Sequence, residues 1–319
     1  MPTPHHKSPS FLHVDMDSFR TMRQFYALDT KSDPSEIYEV TVPRFLEFFG
    51  SCGVKATFFV VGQDLEHPSN RKMAERILEH GHRIANHTHT HPFGLALFSR
   101  LEIRKEVESA HSAIRTALGI EPVGFRAPGY NVDSDVLGAL QDLGYRYDSS
   151  VFPSILNPVY HIAHRVLAHG TDLPNSDLGG FNTMRCPTRP YQPDLRRFWR
   201  HATSSVPGNL WEFPVGMIPY LKLPMYANFL LLMPKFYFRA ALRLATCQPL
   251  TFLFHAFELL DCSEIPNDLK RHPNAGRRLA TKLDFYRLFI MEIKKRFDIC
   301  TTEEYLERAR EPVGAAHRP

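Results

Sequence analysis

The chain has 319 residues, of which 43% are hydrophobic and 23% are charged, and its formal net charge is +4. This is an ordinary globular composition, and the length suits one large α/β domain or two small ones. Because the Lys and Arg residues are dispersed rather than clustered, the mildly basic balance does not indicate nucleic-acid binding, while anionic partners remain open.

Strand and helix signals alternate along the chain as a series of βα units. The predicted strands are 11–15, 55–62, 82–86, 123–129, 145–150, 209–215, 250–257 and 297–302. The predicted helices are 42–53, 70–81, 99–119, 133–144, 276–296 and 303–310. Ser99 is a candidate N-cap, and Gly53 and Gly119 are candidate helix ends. The alternation predicts a parallel sheet or barrel, in which ligands bind at the carboxyl ends of the strands.

The cysteines and the N-terminus bear on the cellular compartment. The chain has five cysteines, and their positions lack the paired spacing of a zinc ribbon or a disulfide framework. The first ten residues, MPTPHHKSPS, lack the apolar core of a signal peptide. No uninterrupted apolar stretch approaches the roughly 20 residues of a membrane span. We therefore expect a cytoplasmic protein with reduced thiols that is neither exported nor membrane-spanning.

Two aspartates, Asp15 and Asp17, stand at the end of the first predicted strand in the stretch HVDMDSF. Side chains alternate along an extended strand, so both carboxylates are expected on the same side, about 7 Å apart. A solvated turn after a strand also favours Asp and Ser. The alternative is a site in which one carboxylate binds a metal, whose charge relieves the repulsion, while the other moves a proton.

A histidine cluster, NHTHTHP, follows the third predicted strand and offers His87, His89 and His91. Imidazole at this density suits a divalent metal. If the segment is a helix or a turn, His87 and His91 converge, whereas all three share a face if the segment stays extended. A solvated loop that happens to be rich in histidine is the other interpretation.

Three later strand ends carry further candidate residues. Arg126 in FRAPGY can hold a carboxylate in place, although the residues that follow it also suit a surface turn. Trp211 and Glu212 lie in LWEFP, where a core tryptophan is an equal alternative. His255 ends the apolar strand in FLFHAFE, where a buried histidine with satisfied hydrogen bonds is the alternative.

Taken in this order, the motifs resemble those of the polysaccharide deacetylase family, also called the NodB homology domain. The matching motifs are the Asp15/Asp17 pair, HTHTH at 87–91, RAP at 126–128, LWEFP at 210–214 and LFH at 253–255. The resemblance covers roughly residues 10–305. It implies a distorted (β/α) barrel of about seven parallel strands, here at 11–310, with an apolar insertion at about 215–247 and disordered tails at 1–10 and 311–319.

Two departures from the usual family pattern stand out. Most members have adjacent aspartates in Thr-Phe-Asp-Asp-Gly, whereas this chain has Asp-x-Asp followed by Phe19-Arg20. That form resembles a branch that includes intracellular deacetylases and lipid-linked aminoarabinose deformylases. The usual Asp-x-x-Asp-Trp motif is absent, and Trp211 and Glu212 are its nearest match.

The resemblance implies a metal-dependent hydrolysis of the N-acyl group of an amino sugar. One divalent ion is expected, Zn²⁺ or alternatively Co²⁺, Mn²⁺ or Ni²⁺, with Asp17, His87 and His91 as its ligands. Asp15 would act as the base, oriented by Arg126, and His255 would protonate the leaving nitrogen. The residues implied in oxyanion or substrate binding are Gly129, Tyr130, Trp211 and Glu212.

The segment 218–244 is unusually apolar and carries Lys235, Arg239 and Arg243 at intervals of four residues. A basic amphipathic helix can lie on an anionic bilayer, and the substrate would then be lipid-linked. The alternative is a helix packed on the barrel with its charged stripe in water. The neighbouring apolar residues are Phe236, Phe238, Ala240 and Leu242.

These observations favour a sugar N-deacylase, acting on an N-acylated amino sugar or a lipid-linked glycan, in the cytoplasm or at the inner face of the membrane. A hydrolase of cyclic amides or ureides is the enzyme alternative, and the intact set of Asp17, His87 and His91 argues against it. A non-catalytic carbohydrate-binding relative is the other alternative, but such a protein has no need for Asp15, Arg126 and His255 together. The sequence specifies no oligomeric state.

Overall fold

The computed structural model describes residues 7–30, 35–160, 181–203 and 210–309. The strands are β1 (Ser8–Asp15), β2 (Thr57–Val60), β3 (Arg83–Asn86), β4 (Gly124–Phe125), β5 (Tyr147–Asp148), β6 (Pro193–Asp194), β7 (Arg197–His201), β8 (Trp211–Glu212), β9 (Leu250–His255) and β10 (Phe297–Ile299). The α-helices with both ends in the described residues are α1 (Phe19–Phe25), α2 (Ser35–Cys52), α3 (Pro68–Glu79), α4 (Arg100–Leu118), α5 (Ser134–Asp142), α6 (Ala227–Leu232), α7 (Lys235–Ala245), α8 (Leu279–Arg296) and α9 (Thr302–Arg308).

The parallel strands form one curled sheet, which confirms the predicted (β/α) barrel architecture. Seven strands run in the order β10-β1-β2-β3-β4-β5-β8, and β9 pairs with β1. After β8 the chain bends back onto β9, where the Gly216 amide donates to the Thr251 carbonyl at 2.8 Å. A Cβ at Gly216 would clash with that same carbonyl oxygen, so glycine permits this approach.

Alternation along β1 divides the core into an outer and an inner part. Leu12 and Val14 face the large cluster formed with the surrounding helices. Phe11 faces the barrel interior, where its ring meets that of Phe213 edge-on at 5.1 Å. Because both faces of the sheet are covered, every residue of β1 from Ser10 to Asp15 is buried. The odd-numbered residues of β1, which end at Asp15, therefore point into the barrel.

The helix limits are set partly by capping and partly by packing. Ser99 caps α4 in a reciprocal arrangement with Glu102, and Gly119 ends it at a φ of 67°, as the sequence predicts. Helix α2 begins at Ser35, well before the predicted start at 42, although Pro43 lies inside it. Ile37, which is fully buried, extends its apolar face upstream. Packing therefore outweighs the local proline signal.

The barrel also extends beyond its predicted N-terminal limit. Strand β1 begins at Ser8, inside the predicted tail at 1–10, because Ser8 to Ser10 pair with Phe297 to Ile299 of β10. Residues 1–6 and the predicted tail at 311–319 lie outside the described residues. All five cysteines are described, and none of them forms a disulfide bond.

The predicted apolar insertion contains α6 and α7, and α6 packs beside β9 and α8. The inner side of α7 buries Phe238 and Leu242, whereas Lys235, Arg239 and Arg243 are exposed. The apolar neighbours of the basic stripe thus differ in burial, since Phe236 is 75% exposed. Among the described residues, no helix is long and apolar enough to cross a membrane.

Candidate active site

Three potential metal ligands meet at the carboxyl edge of the sheet. Asp17 follows β1, and His87 and His91 follow β3. The Asp17 Oδ1 atom lies 3.0 Å from His91 Nε2 and 3.5 Å from His87 Nε2. One ligand atom from each residue lies within 4.8 Å of the others. The structure thus brings together the three residues that the sequence nominates as a metal site.

The histidine loop is a turn rather than an extended segment. Thr88 and His91 have φ values of 64° and 60°, in the left-handed region that residues with a Cβ seldom adopt. The Asn86 side chain stabilises the turn by accepting a hydrogen bond from the Thr88 amide at 2.8 Å. This backbone path makes His87 and His91 converge and directs His89 away, towards Glu66 at 3.8 Å. Backbone strain of this kind is typical of functional sites.

The chemistry of the three donors fits a divalent cation. His87 Nδ1 lies 2.8 Å from the Arg126 carbonyl oxygen, which can only accept, so Nδ1 donates to that carbonyl and Nε2 is the nitrogen available to a metal. The Asp17 Oδ1 atom is itself buried without a hydrogen-bond donor among the described residues. Burial alone would raise the pKa of Asp17, but His91 and His87 outweigh it and hold that pKa well below its usual value. A carboxylate with two imidazoles suits zinc or a similar metal.

Asp15 lies beside this triad in a different environment. Its Oδ1 atom accepts from Arg126 Nη1 at 2.6 Å, and its Oδ2 atom lies 4.0 Å from His255 Nε2. The strand register explains this neighbourhood, because Asp15 of β1 pairs with His255 of β9. The two aspartates are therefore distinct: one faces the histidines and the other is held by an arginine.

Arg126 is fully buried, and its guanidinium is held by four neighbours. Nε donates to the Ser149 carbonyl and Nη2 to the Ser149 hydroxyl, both at 2.7 Å. Nη2 also donates to His13 Nδ1 at 2.7 Å, and the guanidinium carbon lies 4.3 Å from the centre of the Phe59 ring. A guanidinium with so many fixed partners can orient Asp15 with little freedom.

His13 contacts the Arg126 guanidinium and helps to hold it in place. The sequence analysis did not nominate this residue. Its Nδ1 accepts from Arg126, so its Nε2 carries the proton and donates to the Thr302 hydroxyl at 2.9 Å. Burial and the Arg126 charge lower the pKa of His13 well below its usual value, which keeps the ring neutral. The alternation that groups Asp15 with Asp17 places His13 on the same face, and this signal could have identified it.

His255 lies between the buried carboxylate of Glu258 and the hydroxyl of Tyr130. Its Nδ1 lies 3.5 Å from the Glu258 carboxylate, and its Nε2 lies 3.3 Å from the Tyr130 hydroxyl. Burial would lower the pKa of His255, but Glu258 and Asp15 outweigh burial and raise it to about 9. The sequence analysis did not nominate Glu258, which sits three residues after His255 in a short 3₁₀ turn.

The prediction of Trp211 and Glu212 as substrate-binding residues needs correction. Glu212 is fully buried, accepts a hydrogen bond from the Val151 amide at 3.0 Å and shares a hydrogen bond with the Asp148 carboxyl group. Trp211 packs against the inner barrel cluster. Neither residue lines the cavity at the metal triad, because β8 pairs with β5 and directs both side chains into packed regions.

A cavity of about 380 Å³ opens over the triad. Asp17, His87, His91 and His255 line its base, and the predicted Gly129 and Tyr130 lie on its wall. Most of its other lining residues are aromatic. The arrangement can therefore hold a cation, place Asp15 and His255 near the reacting group, and admit a substrate with an apolar part.

Comparison with known proteins agrees with this geometry. Residues 33–147 match the family model described as polysaccharide deacetylase, a range that includes His87, His91 and Arg126. A peptidoglycan deacetylase of Helicobacter pylori is 28% identical over 125 residues, which cover 38% of this chain and 41% of that protein. A chitooligosaccharide deacetylase of Sinorhizobium fredii is 36% identical over 97 residues, which cover 30% of this chain and 43% of that protein. The chain thus spans less than half the length of these relatives.

The likeness in three dimensions is more extensive. A crystal structure of a Mycobacterium smegmatis protein provisionally assigned as a polysaccharide deacetylase superposes with a TM-score of 0.60 and 20% identity. The match covers 97% of this chain and 93% of that one, and it shows a shared fold. Within that fold, residues 33–147 are the part of this chain that matches the polysaccharide deacetylase model.

Proposed function

We propose that the chain is a metal-dependent hydrolase that removes an N-acyl group, acetyl or formyl, from an amino sugar. One observation carries this proposal: the Asp17, His87 and His91 donors converge beside the Arg126-held Asp15 and beside His255. Amide hydrolysis needs a polarised carbonyl, an activated water and a proton for the departing amine. The site offers a group suited to each need.

The roles divide according to the environment of each residue. Asp17, His87 and His91 would hold the cation, which when bound polarises the carbonyl and makes water more acidic. Asp15, fixed by Arg126, takes the proton of the attacking water. His255, whose pKa of about 9 keeps it protonated at neutral pH, donates to the leaving nitrogen. The Gly129 amide and Tyr130 at the cavity wall are proposed to contact the substrate oxygen.

The proposal extends to a lipid-linked sugar at the inner face of the membrane, with the protein cytoplasmic and peripheral. The Asp-x-Asp spacing followed by Phe19-Arg20 supports a place in the branch that resembles aminoarabinose deformylases. Arg20 donates to the Thr90 carbonyl at 3.4 Å and contacts Asp64 at 3.3 Å, so it ties α1 to the histidine loop. The exposed basic stripe of α7 supports membrane contact.

Metal analysis and acyl release together test the proposal. Purified protein should carry about one divalent ion, with zinc as the expected metal and cobalt, manganese or nickel as alternatives. It should release acetate or formate from N-acetyl or N-formyl amino sugars. His87→Ala and His91→Ala should lose the metal, while the matched His89→Ala variant keeps it. Full metal content in the His87 and His91 variants, or release from cyclic ureides alone, would contradict the proposal.

A further inference from the structure

The cavity beyond the metal triad is far more apolar than a sugar requires. We infer that it binds a hydrocarbon chain attached to the amino sugar, on the side of the leaving nitrogen. The inference rests on the proposed function, and it adds to that function the place where the lipid part of the substrate binds.

An aromatic wall runs outward from His255. The Tyr130 ring stacks on Phe152 with centroids 5.0 Å apart, and Phe152 meets Tyr226 at 5.9 Å. Tyr226 then contacts Phe229 at 6.0 Å and lies 6.5 Å from the His255 ring. The wall therefore begins at the group that protonates the leaving nitrogen and continues as an unbroken series of rings.

The wall ends at the protein surface. Phe229 and Leu232 of α6 both line the cavity, and Leu232 is 42% exposed. Phe229 also contacts Tyr237 of α7 at 6.0 Å, next to Phe236, which is 75% exposed. A series of apolar side chains thus runs from the reaction site to the surface at Leu232 and to Tyr237 of α7, the helix that carries the basic stripe.

A second set of aromatic residues lines the cavity next to the metal triad. The His91 ring lies 5.0 Å from Phe93, and Phe93 lies 5.5 Å from Phe25 of α1. A cavity lined by both aromatic sets suits an apolar ligand, because burial of apolar surface is the main favourable term for such a group.

Several polar side chains of the lining are already engaged within the protein. The Thr21 hydroxyl donates to the Ser18 carbonyl at 2.8 Å, and Asn157 Nδ2 donates to the Phe152 carbonyl at 3.0 Å. Asn228 Nδ2 lies 3.3 Å from His272 Nε2. Burial lowers the pKa of His272 to about 3, so it is neutral. A sugar ring needs several directed hydrogen bonds, whereas this part of the cavity favours hydrocarbon.

The position of the wall decides which part of the substrate carries the chain. His255 and Tyr130 adjoin the wall, and His255 serves the nitrogen that remains on the sugar. A chain that follows the wall is therefore attached through the sugar rather than through the acyl group. The exposed end at Leu232 leaves a way out for a chain longer than the cavity.

Two substrate series test the inference. The first varies the aglycone of N-acetylglucosamine from methyl through butyl to octyl, and the second varies the N-acyl group from acetyl through butyryl to octanoyl, all below their micellar concentrations. We expect kcat/KM to rise in the aglycone series by up to about fourfold per buried methylene. A rise confined to the N-acyl series, or no dependence on either chain, would overturn the inference.

Variants and binding distinguish this inference from the proposed function. Phe229→Ala should reduce the octyl-to-methyl ratio, while the matched Phe98→Ala variant, at a position 40% exposed and outside the cavity lining, should keep the ratio. Calorimetry with octyl glucoside needs no turnover, and wild-type protein should bind it more tightly than Phe229→Ala. Binding without hydrolysis of any sugar would reject the proposed function and retain the apolar site. Hydrolysis with no octyl glucoside binding would reject the apolar site alone.

Discussion

At the scale of single residues, the two aspartates of HVDMDSF have different partners and hence different expected roles. Asp15→Asn keeps an oxygen that can accept from Arg126, so the metal should remain while activity falls by at least about 10²-fold, the usual loss for a general base. Asp17→Asn removes a charged ligand and should lose both metal and activity. Elemental analysis and acyl-release assays of the two variants check this, and equal metal loss would show that this division of roles is wrong.

Glu258 offers a second test at this scale. Its carboxylate helps to raise the pKa of His255 to about 9, so the protonated form persists until the pH rises through that value. Removing the charge in Glu258→Gln should lower the pKa of His255 and move the alkaline limb of the kcat/KM profile to lower pH. The matched Glu66→Gln variant changes a carboxylate that is 66% exposed and should leave the profile in place. An unshifted limb in Glu258→Gln would show that His255 does not set it.

The sequence nominated the residues that are proposed to meet metal or substrate directly, because Asp, His and Arg at strand ends are conspicuous. It missed His13 and Glu258, which act through Arg126 and His255. The alternation along β1 was the one signal for His13, and Glu258 had none. Its assignment of Glu212 was wrong for a related reason. A polar residue at a strand end can turn either to the cavity or to a neighbouring strand, and only the pairing of β8 with β5 decides which.

At the scale of elements, each strand and helix that local signals predict is present in the structure, but the predicted lengths differ from the observed ones. The limits of helix α4 were predictable, because its N-cap and its terminal glycine are recognisable residue types. Strands β4, β5 and β8 contain only two paired residues each, much fewer than the predicted lengths. The hairpin of β6 and β7 went unpredicted, since it lies outside the main sheet and lacks a strong apolar pattern.

Helix α7 carries the prediction about membranes. Its exposed Lys235, Arg239 and Arg243 should each contribute about 1 kcal/mol of attraction to anionic lipid, an attraction that salt screens. Replacing all three with Gln should weaken co-sedimentation with anionic vesicles by about 10²-fold at low ionic strength. Hydrolysis of a short water-soluble N-acyl sugar should barely change.

A control with the same loss of charge isolates the position of the stripe. Replacing Arg71, Lys72 and Lys105 with Gln removes three exposed cations from α3 and α4. That variant should still sediment with the vesicles. If wild-type protein does not sediment with anionic vesicles at low salt, α7 is a barrel helix whose charged side chains face water. A water-soluble sugar is then the better candidate for the substrate.

At the scale of the whole molecule, the barrel brings together residues distant in sequence by the register of parallel strands. Asp15 pairs with His255 across β1 and β9, and Asn86 pairs with Phe125 across β3 and β4, which sets His87 beside Arg126. The site therefore depends on the sheet remaining curled. Two features hold the β5–β8 side in place: the contact of Gly216 with Thr251, and the buried pair of Asp148 and Glu212.

This buried acid pair predicts how global stability responds to pH. Burial and the nearby Asp148 charge raise the pKa of Glu212 well above its usual value, so the folded chain keeps a proton that the unfolded chain releases. The folded state therefore binds more protons, and this pair's contribution to stability falls as the pH rises above the unfolded pKa of Glu212. Glu212→Gln can still accept from the Val151 amide and can donate to Asp148 at any pH. We expect it to raise the melting temperature more at pH 9 than at pH 5, while Glu121→Gln, a change at a residue 61% exposed, has little effect. An equal or larger gain at pH 5 would show that the pair does not share a proton.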